Sequence, residues 1–307
     1  NFTQEIVDLL LHNASEDFDW SQISPTIFGA VFESTLNPDT RRSGGMHYTS
    51  IENIHKVIDP LFMDELTAEL NEIKSVKVDK LRVAKADAFQ DKLASLIFLD
   101  PACGSGNFLT ETYISLRRLE NEVLNIRFKN QIVIDVGGII KVSIGQFYGI
   151  EINDFAVTVA KTALWIAESQ MMKETENIVA MQLDFLPLKS YANIIEGNAL
   201  RIDWESVVPK VKLNYIMGNP PFVGASMMTK EQKDDAVAIF GKIKLSNSID
   251  YVGAWYHKAA AIMQETNIRT ALVSTNSITQ GEQVAPLWGK LLSEYRIKID
   301  FAYRTFR

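Results

Sequence analysis

The sequence predicts an α/β fold in which a mainly parallel sheet carries helices on both faces, with a smaller helical region in front of it. Three observations predict this. After Leu96, short apolar runs that end in turn residues alternate with longer stretches of helical periodicity. The first of those runs opens into a glycine-rich turn and then a helical pattern, as a strand feeding a helix across a parallel sheet would. Before residue 83 the only regular spacing is helical, so the chain divides into residues 1–82 and 83–307.

Within the first region, Glu5 to His12 and Pro25 to Thr35 repeat apolar residues three and four apart. Ile51 to Asp59 does so again after the Arg41-Arg42-Ser43-Gly44-Gly45 loop. Asp64 to Gln90 is charged and helix-prone. Inside it, Glu72-Ile73-Lys74 has the spacing of a nuclease metal site, but no Asp on an upstream strand partners it. It reads as a surface helix pair.

The second region begins with Ile97-Phe98-Leu99, a short buried strand, followed by Asp100-Pro101-Ala102-Cys103-Gly104-Ser105-Gly106-Asn107-Phe108-Leu109. A helix runs from Phe108 to about Phe128, and Arg117-Arg118 reads as its solvated face. Gly104 and Gly106 let the backbone approach a ligand closely. Leu109 stands where a dinucleotide fingerprint needs a third glycine, and no Gly-Lys-Ser/Thr follows, so a nicotinamide, a flavin and a phosphate loop are all disfavoured. Asp100 at the strand end would repel phosphate and suits a ligand bearing an ammonium and a sulfonium. About fifty residues on, Phe147-Tyr148-Gly149-Ile150-Glu151-Ile152-Asn153 is another apolar run with an acid at its tip, where a carboxylate can accept both hydroxyls of a ribose. Ala192 to Glu196 leads into Gly197-Asn198-Ala199-Leu200, where the Asn198 amide is either an adenine reader or an ordinary turn residue.

The most informative stretch is Gly218-Asn219-Pro220-Pro221-Phe222, behind the apolar run Tyr215-Ile216-Met217. An amide and the carbonyls of a rigid Pro-Pro turn can accept both hydrogens of an exocyclic amino group, while an aromatic ring stacks on a planar base. The amino nitrogen of adenine or cytosine is conjugated into its ring and is a poor nucleophile. Acceptors at Asn219 and the Pro220 carbonyl would turn its lone pair toward a methyl donor. The competing reading is a proline-stiffened turn with a buried Phe. Beyond it, Val223 to Ser248 is polar, carries Lys230, Lys233, Lys242 and Lys244, and is expected to be a mobile loop or a plain solvated surface. Asp250 to Met263 reads as a helix and Arg269 to Ser274 as a strand.

Composition narrows the classes. With 47% apolar residues, 307 residues can bury a full core, and no run approaches the ~18 apolar residues of a membrane span. The lone Cys103 excludes a disulfide framework and points to the reducing cytoplasm. Its place in the glycine-rich loop disfavours a thiolate mechanism at the base pocket. Four His and one Cys without close spacing argue against zinc, and no metal is expected. A balance of 31 basic to 38 acidic residues, net −7, is weak for gripping DNA alone. Asn1 in place of an initiator Met, and an apolar pattern still running at Arg304, lead to the expectation that the chain is an excerpt with a basic recognition domain beyond Arg307.

Taken in order, these motifs resemble the amino-methylating, S-adenosylmethionine-dependent DNA methyltransferases, over roughly two thirds of the chain. The resemblance implies a Rossmann-like sheet and S-adenosyl-L-methionine as cofactor. It assigns the loop with Asp100, Ala102, Gly104, Asn107 and Phe108 to the methionine part, Glu151 with Ile152 to the ribose and its surroundings, and Asn198 to the adenine. Asn219, Pro220, Pro221 and Phe222 match the catalytic motif. The family often has Asp where Asn198 stands. Upstream, Gly44-Gly45-Met46-His47-Tyr48-Thr49-Ser50 resembles the segment that, in the gamma arrangement, precedes the cofactor loop, which brings in Tyr48 and Thr49. Phe306 stands where the family often has a second ring against the base, with core packing as the alternative.

Phe18-Asp19-Trp20 through Phe28 to Glu33 is similar to the bridge found in type IIG, and especially type IIL, MmeI-like, restriction-modification enzymes. Stand-alone phage-defence methyltransferases share the pattern. The implied activity is site-specific adenine-N6 methylation of double-stranded DNA with an extruded adenine, alongside the remaining domains of the same longer polypeptide and away from any membrane. RNA adenine, cytosine N4, a protein glutamine, or a catalytically silent DNA-binding scaffold stay open as alternatives.

Overall fold

The computed structural model describes residues 3–8, 24–35, 49–128, 138–179, 192–241 and 248–303. Five strands form one sheet: β1 (Phe98–Asp100), β2 (Phe147–Glu151), β3 (Asn193–Glu196), β4 (Tyr215–Gly218) and β5 (Arg269–Leu272). Their order is β3-β2-β1-β4-β5, and every neighbouring pair is parallel. Successive strand residues face opposite sides. Phe98 and Met217 enter one apolar cluster, while Leu99 and Ile216 enter the other. Both faces are covered, which explains why the runs are apolar throughout and do not alternate. Strand order reverses between β1 and β4, so the crevice of the sheet opens at the carboxyl ends of these two strands, at Asp100 and Gly218.

The helices are α1 (Gln4–Asp8), α2 (Pro25–Thr35), α3 (Ile51–Ile58), α4 (Asp64–Ser75), α5 (Asp79–Ser95), α6 (Asn107–Arg127) and α7 (Asp154–Val179), followed by α8 (Trp204–Val207), α9 (Lys230–Phe240), α10 (Gly253–Ile262) and α11 (Val284–Gly289). Most buried apolar residues of α3 to α7 enter the first cluster, those of α8 to α11 enter the second, and Leu124 of α6 and Val179 of α7 form a small third one with Ile139. Residues 51–95, which straddle the boundary at 82, belong to a single core with the sheet. No described helix is long and apolar enough to cross a membrane.

Asp64 to Gln90 is helical as expected, in two pieces, because the β-branched Val76 and Val78 adopt extended backbone between them. Two sequence expectations need correction. Val223 to Ser248 contains α9, a regular helix half-sunk into the core through Ala236 and Phe240, so the loop reading fails over those residues. Its start is fixed by a capping box in which Gln232 N–H donates to Thr229 Oγ1 (3.2 Å) and Thr229 N–H donates to the Gln232 side chain (3.0 Å). Lys242 and Lys244 lie outside the described residues.

The second correction concerns Arg117, which is fully buried while Arg118 is exposed. Its guanidinium pairs with buried Glu120 and donates to Thr175 Oγ1 (2.7 Å). Glu120 in turn accepts the N–H groups of Lys141 (2.7 Å) and Val142 (3.2 Å), which pins the approach to β2. A charge this deep needs its partner. Arg117→Met is expected to destabilise the fold by about 3–5 kcal/mol, because Glu120 is left buried without its cation; urea denaturation of the two proteins checks it.

Candidate active site

A cavity of about 300 Å³ opens at the crevice of the sheet. It is lined from β1 and its loop by Asp100, Ala102, Gly104, Asn107 and Phe108. Glu151 and Ile152 enter from the end of β2, and Asn198 from the turn after β3. Asn219 and Pro221 enter from beyond β4, and Thr49 from ahead of α3. The structure thus brings together ten of the residues singled out in the cofactor loop, the β-strand tips and the catalytic motif, with Thr49 among its walls. Pro220 is buried, and Phe222 is half-buried against both apolar clusters; neither lines the cavity. Tyr48, His47 and Phe306 lie outside the described residues.

The loop after β1 is shaped by two close approaches. Gly106 has φ of 81°, caps α6, and leaves no room for a side chain, since a Cβ there would meet the Ala160 Cβ at 2.9 Å. Gly218 has φ of 154°, and a Cβ there would lie 2.3 Å from Asp100 Oδ1. The end of β4 therefore rests directly on the Asp100 carboxyl. Asp100 is 1% exposed, and its Oδ1 accepts the Ala102 N–H at 3.0 Å. Burial pushes its pKa up to about 8, with the Ala102 N–H opposing and the Glu151 charge adding to the rise. Cys103 turns inward from the loop, and burial pushes its thiol well up.

Glu151 ties β2 to the loop. Its Oε2 accepts the Gly104 N–H (2.9 Å) and its Oε1 the Asn153 N–H (3.0 Å). Ile152 beside it is exposed, and offers an apolar surface at the rim. The Asn107 Oδ1 is buried and has no hydrogen-bond partner among the described residues. Asn219 is divided: its Nδ2 donates to Thr49 Oγ1 at 3.0 Å, while its Oδ1 is buried without a partner among the described residues.

The sequence did not reveal what surrounds Asn198. Its Oδ1 accepts the Leu200 N–H (2.9 Å) and its Nδ2 donates to Asp235 Oδ2 (2.8 Å) on α9. Asp235 also receives the Arg201 Nε (2.6 Å) and the Tyr251 hydroxyl (3.2 Å). Lys258 of α10 holds the same turn from behind, donating to the carbonyls of Ala199 (2.7 Å), Leu200 (3.4 Å) and Ile202, with burial lowering its pKa to about 8. The Trp255 indole donates to the Pro101 carbonyl at 3.1 Å and steadies the loop after β1. Only the Thr229-to-Gln232 capping box announced α9 in the sequence. Among the described residues no group of three or more His, Cys, Asp or Glu is placed to hold a metal ion.

The chain is similar to known proteins. The chain is 40% identical over 301 residues to DNA methyltransferase A of Bacillus subtilis (strain 168), covering 97% of this chain and 33% of that protein. It is 26% identical over 232 residues to a putative type II restriction enzyme and methyltransferase of Methanocaldococcus jannaschii, covering 67% of this chain and 19% of the other. The solved structure of the type IIL restriction-modification enzyme MmeI in complex with DNA superposes with a TM-score of 0.87 at 45% identity, over 95% of this chain and 38% of that one. A DrdV–DNA complex shares the fold alone, at 17% identity and a TM-score of 0.53 over 92% of this chain and 25% of that one. This chain thus spans about a third of the length of the first curated relative. The family model described as MmeI, DNA-methyltransferase domain, matches residues 75–307, and the chain belongs to that family.

Proposed function

We propose that the chain is the S-adenosyl-L-methionine-dependent catalytic region of a site-specific DNA adenine-N6 methyltransferase. It would work in the cytoplasm, within a restriction-modification or phage-defence enzyme, on duplex DNA whose target adenine has been extruded. Residues 83–307 would be its catalytic domain and residues 1–82 the region leading into it, and further domains of the same polypeptide would supply sequence recognition. The names of the MmeI and Bacillus subtilis relatives support DNA as the substrate.

The carrying observation is the Asn219 side chain. Its nitrogen donates to the Thr49 hydroxyl, and its oxygen is a buried acceptor without a donor among the described residues. Leaving such a group unpaired costs about 1–3 kcal/mol. An exocyclic amino group is the donor it lacks, and the bond would favour a lone pair directed away from the ring plane. Phe222 and the Pro-Pro turn stiffen the same segment.

The rest of the cavity fits S-adenosylmethionine on the chemistry of its groups. Asp100 would face a cation, the Asn107 oxygen, unpaired among the described residues, suits an ammonium, and the Glu151 carboxylate suits ribose hydroxyls. Ile152 covers a flat ring. When bound, the cofactor supplies an electrophilic methyl group on a sulfonium. Incubating the full-length enzyme with labelled cofactor and duplex DNA, then identifying the modified nucleoside, tests the reading. N6-methyladenine is expected; N4-methylcytosine, or label only in RNA or protein, would overturn the adenine assignment.

Asp100 adds a pH dependence. With its pKa near 8, the carboxyl is neutral at pH 7 in the ligand-free chain, and a bound cation draws out the carboxylate. Affinity is expected to rise with pH up to about 8 and then level off, with a proton released on binding at pH 7. Buffers of different ionisation enthalpy read that proton in calorimetry. Stability of the ligand-free chain carries the opposite sign. The contribution of this raised acid is complete below the ordinary carboxylate pKa and is lost as pH rises through about 8.

A further inference from the structure

The turn after β3 sets a buried carboxylate in the wall of the cavity. The Asn198 amide is fixed in orientation. Turned over, it would set its oxygen against the Asp235 carboxylate and its N–H against the Leu200 N–H. Its N–H groups are engaged by Asp235 Oδ2 and by the Tyr251 hydroxyl. Asp235 has two oxygens with about four places for hydrogen bonds. Asn198 and Tyr251 fill Oδ2, and Arg201 takes one place on Oδ1. The remaining acceptor place is on Oδ1, on a side chain that is 5% exposed and lines the cavity.

An adenine edge carries an amino donor, and a buried carboxylate oxygen with an open place is its partner. We propose that Asp235 is the residue that accepts the amino hydrogen of the cofactor's adenine, with Asn198 and Tyr251 holding the carboxylate in place. The proposal rests on the cofactor reading above and deepens it. It gives adenine selectivity to α9, the helix that follows the catalytic motif, and explains how Asn can stand at position 198: the carboxylate comes from residue 235. Arg201, 60% exposed, reaches Asp235 from the solvent side, and Tyr251 fixes it from α10's approach.

The test compares two ligands by calorimetry on the full chain: S-adenosylhomocysteine, and S-inosylhomocysteine, whose ring carries a carbonyl oxygen in place of the amino group and a ring N–H in place of the bare nitrogen. The parent is expected to prefer the adenosyl ligand by about ten- to a hundredfold, since the inosyl oxygen meets the carboxylate. Asp235→Asn offers that oxygen an N–H, and the preference should fall to within about threefold or invert. If both affinities drop together with the ratio unchanged, Asp235 is only structural and the proposal is overturned. If the variant does not fold, the parent decides: equal binding of the two ligands refutes the proposal. Failure of the parent to bind either ligand is a separate result, which removes the cofactor reading itself and this proposal with it.

Discussion

Asn219→Ala in the full-length enzyme is expected to lower methyl transfer by about 10²–10³-fold and to leave the affinity for S-adenosylhomocysteine nearly unchanged. The asymmetry follows from where the amide points. Its nitrogen is committed to Thr49, and its oxygen is buried with no donor among the described residues. Truncation therefore removes an acceptor for the target amino group and touches nothing on the Asp100 and Glu151 side of the cavity. Single-turnover methylation and calorimetry on the same preparation separate the two effects. Near-normal methylation by the variant would remove Asn219 from the chemistry. Loss of cofactor binding in step with activity would recast it as part of the cofactor wall.

Glu151→Ala should cost cofactor affinity by about a hundredfold or more, because two things are lost at once. One is the carboxylate that we propose accepts the ribose hydroxyls. The other is the tether between β2 and the glycine-rich loop, through the Gly104 and Asn153 N–H groups. Glu151→Gln is not expected to be mild, since its amide can present an oxygen to only one of those two N–H groups and an N–H to the other. Calorimetry with S-adenosylhomocysteine reads both variants. Tight binding by Glu151→Ala would take the ribose role away from this residue.

The parallel sheet and the cavity walls were legible in the sequence for a local reason. The inner strands β1, β2 and β4 are short apolar runs buried on both faces, and the turns near them carry glycines set by close approach, as Gly106 and Gly218 show. What stayed hidden depends on contacts across the chain. Arg117 and its ion-pair partner Glu120 read as surface charges because the groups that close over them, Thr175, Lys141 and Val142, lie far along the chain. Asp235 lies 37 residues from Asn198 in the sequence, and no pattern in either segment links them. The polar run after Phe222 looked like a loop because its apolar content is low, although its capping box was present. Polar residues that serve the interior carry the same letters as polar residues that face water.

The strand order has a consequence for how the chain reaches this state. Phe98 of β1 stacks between Phe147 of β2 (5.2 Å between centroids) and Tyr215 of β4 (5.5 Å), so the central strand is completed only by a partner far down the chain. At ribosomal speeds of about 5–20 residues per second, roughly ten seconds separate the emergence of β1 from that of β4. During that interval an apolar strand waits with one edge unpaired. The nascent chain is then a natural client for chaperones, and refolding after denaturation should be slow, since the decisive pairing must close one of the longest loops in the molecule.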